Sequence, residues 1–214
     1  KCEQILASSP EAFGESEQQP LSDGNPMVFS NPAEHQRHSY GASKYIDEVA
    51  TQHAIRQGLD ARIIRPFNAY GPKLLGDEYG QVVTMMMRSA LDSNLVHVHG
   101  NGKQTRSLTW IEDIVHGIAL SGRLDSCLKS GESLSGRSFN LGSKEEISML
   151  ELGKRVCQLV NEKTNTSVQV EMVDGYHGDS LRRLPHLLDA EESLGWSATT
   201  SLEVGLRQTL DSIL

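Results

Sequence analysis

Apolar positions along this chain switch between a spacing of two and a spacing near 3.6, and the switches mark out its elements. Gln4 to Ser9 is a short apolar run ending in small hydroxyl residues, which predicts a buried strand running out into a turn. Residues 14–39 are polar and rich in Pro, Gly and Ser, with Asn31-Pro32 as a breaker, and predict a long surface loop. Loops of that length in compact domains are usually functional or disordered. A helix is expected from Tyr40 to Gln57, with Ile46, Val49, Ala50 and Ala54 at helical spacing and Gly58 fitting a C-terminal cap. Ala61 to Arg65 reads as a second strand, stopped by Pro66. Strand, helix, strand is a βαβ unit and implies a parallel sheet.

Gln81 to Ser93 carries Val82, Val83, Met86, Met87, Ala90 and Leu91 on one face of a helix, and its three consecutive methionines read as core filling rather than a cofactor box. Leu95 to His99 alternates, and Asn101-Gly102 signals a hairpin leading to Thr105 through Leu108. Thr109 with Glu112 forms a capping-box pattern for a helix to Leu124, and Ser148 with Glu151 a second one for a helix to Asn161. Short strands are expected at Ser138–Leu141 and Val168–Val173. A short helix from Asp189 should end at Gly195-Trp196, and a last one should span Leu202 to Ile213. The pattern is α/β.

Composition narrows the function classes. The 214 residues can bury a good core, and 37% hydrophobic with 22% charged content is ordinary for a globular protein. A net charge of −8 without a basic stretch argues against nucleic-acid binding, and no apolar run approaches the length of a membrane span. Cys2, Cys127 and Cys157 are odd in number and form no metal-ligand pattern, so a reduced, cytoplasmic setting is expected. His97 and His99 lie two residues apart with no third ligand near, which gives no case for a metal.

The chemistry concentrates at Tyr40-Gly-Ala-Ser-Lys44. Residues at i and i+4 share a helix face, so phenol and ammonium can point into one cleft. A tyrosine, with an ordinary pKa of about 10, needs a neighbouring cation to act as a base near neutrality. With an upstream serine, this set is suited to taking a proton from a substrate hydroxyl while a hydride leaves its carbon.

The stretches Ser8-Ser9-Pro10-Glu11-Ala12-Phe13-Gly14, Tyr40-Gly-Ala-Ser-Lys44 and Arg65-Pro-Phe-Asn68-Ala-Tyr-Gly-Pro72 are followed by Gly102-Lys-Gln-Thr-Arg106, Trp110-Ile-Glu-Asp113, Phe139-Asn-Leu-Gly142 and Leu194-Gly-Trp196. Taken in order, they resemble the extended short-chain dehydrogenase/reductases that modify nucleotide sugars: NAD-dependent epimerases, dehydratases and decarboxylases. The resemblance implies the C-terminal part of a doubly wound, Rossmann-like parallel sheet with a smaller mixed α/β lobe for the nucleotide sugar. Residues 1–72 and 105–142 would be the remainder of the NAD-binding domain, and 73–104 and 143–214 the lobe. The family's glycine-rich first turn has no match here. The match starts near the family's fifth strand, leaving on the order of 100 residues of βαβ units unaccounted for.

The resemblance also implies roles. Tyr40 would be the base at the sugar C4 hydroxyl, and Ser9 would share its proton. Lys44 would support the phenolate and hold the nicotinamide ribose, with Pro66 also at the cofactor. Asn68, Arg106 and Arg183 would approach the diphosphate or sugar, with Arg182 as a neighbour able to stand in for Arg183, and Val82 and His99 would line the substrate. Glu11 and Arg37 match UDP-glucuronate decarboxylases and read equally well as a catalytic pair or a solvated loop pair. Pro10 has no proton to give where dehydratases place an acid, so a 4,6-dehydratase ranks behind a uronate decarboxylase or a 4-epimerase. The implied substrate is a UDP-sugar and the implied assembly a homodimer through the Tyr40 helix, where Ile46, Val49 and Ala54 are interface or core. The competing reading is a non-catalytic fragment or dimerisation module without the cofactor-binding half.

Overall fold

The computed structural model describes residues 2–33, 38–74, 81–175 and 180–214, which fall into two compact units. The first unit comprises Lys1–Phe67, Glu112–Lys144 and Arg183–Thr199. Its centre is a parallel sheet of three strands in the order β1 (Gln4–Ala7), β2 (Ala61–Pro66), β7 (Ser138–Leu141). Gln4 pairs with Ala61 and Ala7 with Ile64, while Ile63 pairs with Ser138 and Pro66 with Leu141. The chain passes from β1 to β2 through α1 (His38–Arg56), the expected βαβ unit. β2 lies between its neighbours and is buried at five consecutive positions, including both Arg62 and Arg65. That is the profile of an inner parallel strand covered on both faces. Arg62 donates to Asp60 and to the Leu124 carbonyl. Trp196 Nε1 donates to the Asp113 carbonyl and Thr199 to the Asp113 carboxylate, so two of the sequence motifs serve to join α3 (Ile111–Arg123) to the segment after α5 (Leu188–Leu194).

The second unit comprises Asn68–Ile111, Glu145–Arg182 and Thr200–Leu214. β4 (Leu95–His99) and β9 (Gln169–Val173) pair in parallel, and α2 (Val82–Ser93) and α4 (Met149–Thr164) pack on β4. α6 (Leu202–Ile213) packs on α2 and α4. Val96, Val98, Met86, Met87, Leu152, Val156, Leu206 and Leu210 form one buried core. The methionines divide as their spacing predicts: Met86 and Met87 are buried and Met85 is 37% exposed. Two smaller pairings complete the unit, β3 (Ala69–Tyr70) with β6 (Thr109–Trp110) in parallel and β5 (Thr105–Ser107) with β8 (Glu146–Ser148) in antiparallel. Arg182, in the two-residue strand β10 (Arg182–Arg183), extends the latter sheet.

Three local expectations change. Asn101-Gly102 does make a turn, with Gly100 and Gly102 at positive φ, but it closes no hairpin. β4 takes β9 as its partner and β5 takes β8, because Val96 and Val98 must face the α4 core while β5 buries only Ser107. Thr109 lies inside β6, and α3 begins two residues later at Ile111. β1 ends at Ala7, since Ser9 starts a new turn. The second capping box forms as read: Ser148 Oγ accepts from the Glu151 N–H at 3.2 Å. No described helix is long and apolar enough to cross a membrane.

The core assignment has a direct test. Met87→Ala should lower the unfolding free energy by about 2–5 kcal/mol in a urea titration, whereas Met85→Ala should change it by less than about 0.5 kcal/mol.

Candidate active site

The first unit gathers its polar side chains at the C-terminal ends of β1 and β2. Beyond Ala7, Ser9 is extended (φ −154°) and its Oγ accepts from the Glu11 N–H at 3.2 Å, capping a one-turn 3-10 helix at Pro10–Phe13. Pro10 suits this first position because its missing N–H would have no partner there. Accepting through a lone pair leaves the Ser9 O–H hydrogen to donate. Gly14 ends the turn at φ +60°, where a Cβ would lie 2.0 Å from the Val28 carbonyl oxygen. The next close approach is at Gly41, where a Cβ would stand 2.6 Å from the Glu11 carbonyl oxygen. Glycine directly after Tyr40 is therefore what lets the first turn of α1 lie backbone to backbone against the Ser9 turn.

Tyr40 is 53% exposed at the start of α1. Lys44, one turn on, places its ammonium 5.8 Å from the Tyr40 ring centroid and donates to the Ala7 carbonyl at 3.1 Å. Asp47 lies 3.7 Å from the same nitrogen. The i, i+4 reading holds: phenol and ammonium share the helix face that meets the end of β1.

Beneath them runs a buried ion network that the sequence did not disclose. Arg65 donates through Nε and Nη2 to the two oxygens of Glu48, at 2.7 and 2.6 Å, and through Nη1 to Asp23. Ser8 Oγ donates to the same Glu48, and the guanidinium lies 4.8 Å from the Phe13 ring centroid. Glu48 is 5% and Arg65 2% exposed. Burial works against the Arg65 charge, but the hydrogen bonds and charge of Glu48, then those of Asp23, outweigh it and hold the guanidinium above its ordinary value. The available signal was positional: Glu48 falls one turn after Lys44, and Arg65 sits inside an otherwise buried strand.

The long loop is seated by backbone bonds. Leu21 N–H donates to the Leu184 carbonyl at 2.7 Å, His186 N–H to the Leu21 carbonyl at 2.8 Å, and Asn140 Nδ2 to the same carbonyl at 2.8 Å. Arg183, at the start of this strip, makes a two-point ion pair with Glu11, its Nη2 at 3.1 Å from Oε2. Two residues that the sequence treats separately are thus brought together. Pro66 occupies the last position of β2, opposite Leu141.

The remaining candidates lie in the second unit. Asn68 is left-handed (φ 40°), a conformation asparagine tolerates, and donates to the Ser107 carbonyl at 2.9 Å. Val82 opens α2, and His99 closes β4 with Nδ1 2.9 Å from the Asp174 carbonyl oxygen. Arg106 Nη1 donates to the Thr105 and Ser180 carbonyls, both at 2.8 Å. Arg182 is committed elsewhere: it grips both oxygens of Glu146 at 2.7 Å, and Thr105 adds a bond at 2.6 Å. These partners, Arg182 first and then Thr105, pull the Glu146 carboxyl down to about 2. Arg182 and Arg183 thus take different carboxylate partners, Glu146 and Glu11. Arg37 lies outside the described residues. Among the described residues no three His, Cys, Asp or Glu side chains gather as a metal site.

Known proteins resemble this chain in sequence and in fold. The family model described as GDP-mannose 4,6 dehydratase matches residues 1–209. The chain is 34% identical to UDP-glucuronic acid decarboxylase 2 of Arabidopsis thaliana over 208 residues, which is 94% of this chain and 42% of that protein. It is 29% identical to UDP-N-acetyl-alpha-D-glucosaminuronate decarboxylase of Bacillus cytotoxicus, covering 96% of this chain and 62% of that one. The chain thus spans roughly half the length of these relatives. The fold matches UDP-glucuronic acid 4-epimerase from Bacillus cereus, solved with UDP-glucuronic acid and NAD, with a TM-score of 0.80 at 22% identity over 100% of this chain and 62% of that one.

Two outcomes test the geometry. Gly41→Ala, which puts a methyl against a carbonyl that cannot retreat, should destabilise the first unit by about 1–3 kcal/mol in a urea titration. Glu146→Gln tests the ion pair. A carboxyl depressed from 4.5 to about 2 contributes stability above its ordinary range, and that contribution fades as pH falls through about 2. The variant should therefore melt below the parent at pH 7 and converge with it near pH 2.

Proposed function

Because the chain belongs to the extended short-chain dehydrogenase/reductase family of NAD-dependent nucleotide-sugar epimerases, dehydratases and decarboxylases, we propose that it carries the proton-transfer site of a UDP-uronate decarboxylase that transiently oxidises C4. The observation that carries this reading is the Tyr40–Lys44 pair held against the Ser9 turn at the C-terminal ends of parallel strands. Open α/β sheets bind ligands at those ends. The choice of decarboxylase is supported by the relatives' activities, and by Pro10, which has no proton to give at the position where a dehydratase would need an acid.

The residues present fit the nicotinamide end of a dinucleotide. An ammonium has three donors, and Lys44 directs one at Ala7, which leaves others for ribose hydroxyls. Tyr40, Lys44 and Pro66 would hold that end. Bound NAD would take the hydride from C4 and return it after carbon dioxide has left, so no external reductant enters the balance. Tyr40, beside the Lys44 ammonium, takes the C4 hydroxyl proton and later gives it back. Ser9 donates its hydroxyl hydrogen to the sugar oxygen as charge develops there. With C4 a ketone, the C5 carboxylate belongs to a β-keto acid. Its C–C bond breaks, carbon dioxide leaves, the electron pair becomes an enolate, and C5 takes a proton from solvent water. Little further acid catalysis is needed.

Arg183, whose planar fork is paired with Glu11 in this structure, would approach the diphosphate or sugar. Asn68, Val82, His99 and Arg106 would serve the nucleotide side, and Arg37 would join the uronate. A second copy of the chain is the proposed partner. Ile46 and Val49 on α1 are 63% and 48% exposed, as an interface helix requires and a core helix does not.

In the intact protein, Tyr40→Phe should cut carbon dioxide release from UDP-glucuronate by about a hundredfold or more while leaving its dissociation constant within about twofold. Unchanged turnover would remove the assignment. Formation of UDP-galacturonate without carbon dioxide would turn the reading to a 4-epimerase.

A further inference from the structure

The buried network under the site calls for an explanation that stability does not supply. Replacing a buried ion pair by apolar groups of similar volume is often neutral or stabilising, so a protein has no need of one to hold a core together. Here both charges are buried to at least 95%. Three donors of the network converge on one carboxylate: Ser8 Oγ, Arg65 Nε and Arg65 Nη2.

The positions of these residues give the explanation. Ser8 directly precedes Ser9. Glu48 stands one helical turn beyond Lys44 and two beyond Tyr40. Arg65 directly precedes Pro66. Its remaining nitrogen reaches Asp23 in the long loop, and its face lies over Phe13 in the turn that carries Glu11. The Arg65–Glu48 pair therefore ties together the end of β1, the middle of α1, the end of β2 and the loop. The first three of these each carry a proposed site residue within one turn or one peptide of the tie.

We infer that Glu48 and Arg65 are positioning residues, which fix Ser9, Tyr40 and Lys44 relative to one another for proton transfer at the sugar hydroxyl. The inference rests on the proposed reading of Tyr40 as the base. Neither side chain touches the reacting atoms; they act through the backbone segments they join. A guanidinium fork defines both distance and angle, whereas an apolar contact in the same volume permits sliding. Misplacement by about 1 Å is enough to cost about a hundredfold in rate.

The test is the triple variant Ser8→Ala, Glu48→Leu, Arg65→Met in the intact protein, which removes the network without leaving a buried polar group of it unpaired. Turnover of UDP-glucuronate, melting temperature and KM are measured beside the parent and Tyr40→Phe. The expected result is a melting temperature at or above the parent's, KM within about twofold, and kcat lower by about tenfold or more. A triple variant that keeps kcat within twofold would overturn the inference and make the network a structural tie alone. Should the triple variant not fold, Arg65→Lys decides: it keeps the charge but loses the fork. It should lower kcat without moving KM, and an unchanged kcat overturns the inference. A parent whose turnover survives Tyr40→Phe would instead remove the reading on which the inference stands, a result distinct from either.

Discussion

The arrangement of the first unit depends on the buried bond between Arg65 and Glu48. Without it, the four segments would lose a side-chain tie that joins all of them. Strand pairing sets β1 beside β2, yet says nothing of how far along its axis α1 lies. The two-point grip on Glu48 sets that position from the β2 side, and the Lys44 bond to the Ala7 carbonyl sets it again from β1. Gly41 then permits the closest approach, with no side chain between α1 and the Ser9 turn. Charge, hydrogen bonding and an absent Cβ act together to place one tyrosine.

The two units divide the proposed labour. The first carries the groups proposed to move a proton, Ser9, Tyr40 and Lys44, together with the Glu11–Arg183 pair. The second carries Asn68, Val82, His99 and Arg106, on a scaffold whose core is independent of the first. The chain passes from Phe67 to Asn68 within one motif, so the last residue of one unit and the first of the other are neighbours in sequence. Charged side chains in the second unit serve as ties as well as candidates. Arg182 and Glu146 join β10 to β8, and Arg106 joins β5 to the Ser180 carbonyl.

Much of this was legible in the sequence where the signal is local. The α1 spacing, the Ser148 cap and the Gly195 C-cap are matters of a few adjacent residues, and each forms as read. Pairing partners are not local. The Asn101-Gly102 turn forms, but which strands pair was decided by Val96 and Val98 seeking the α4 core. The two-residue strands β3, β6 and β10 carry too few residues to show a period. Charged residues were misleading for another reason. Arg65 and Glu48 have the composition of a surface pair, and only the fold that buries them reveals what they join. The Glu11–Arg183 pair, 172 positions apart in the chain, could be expected as two candidates but not as one contact.

The central claim is that Tyr40 removes a proton from the sugar C4 hydroxyl, and the most direct measurement compares UDP-glucuronate with its 4-deoxy-4-fluoro analogue on the intact protein. The account predicts that the analogue competes for the site, with an inhibition constant near the substrate's KM, and releases no carbon dioxide. Release of carbon dioxide from the analogue at a rate near that of the substrate would contradict it, because no C4 hydroxyl proton would then be needed.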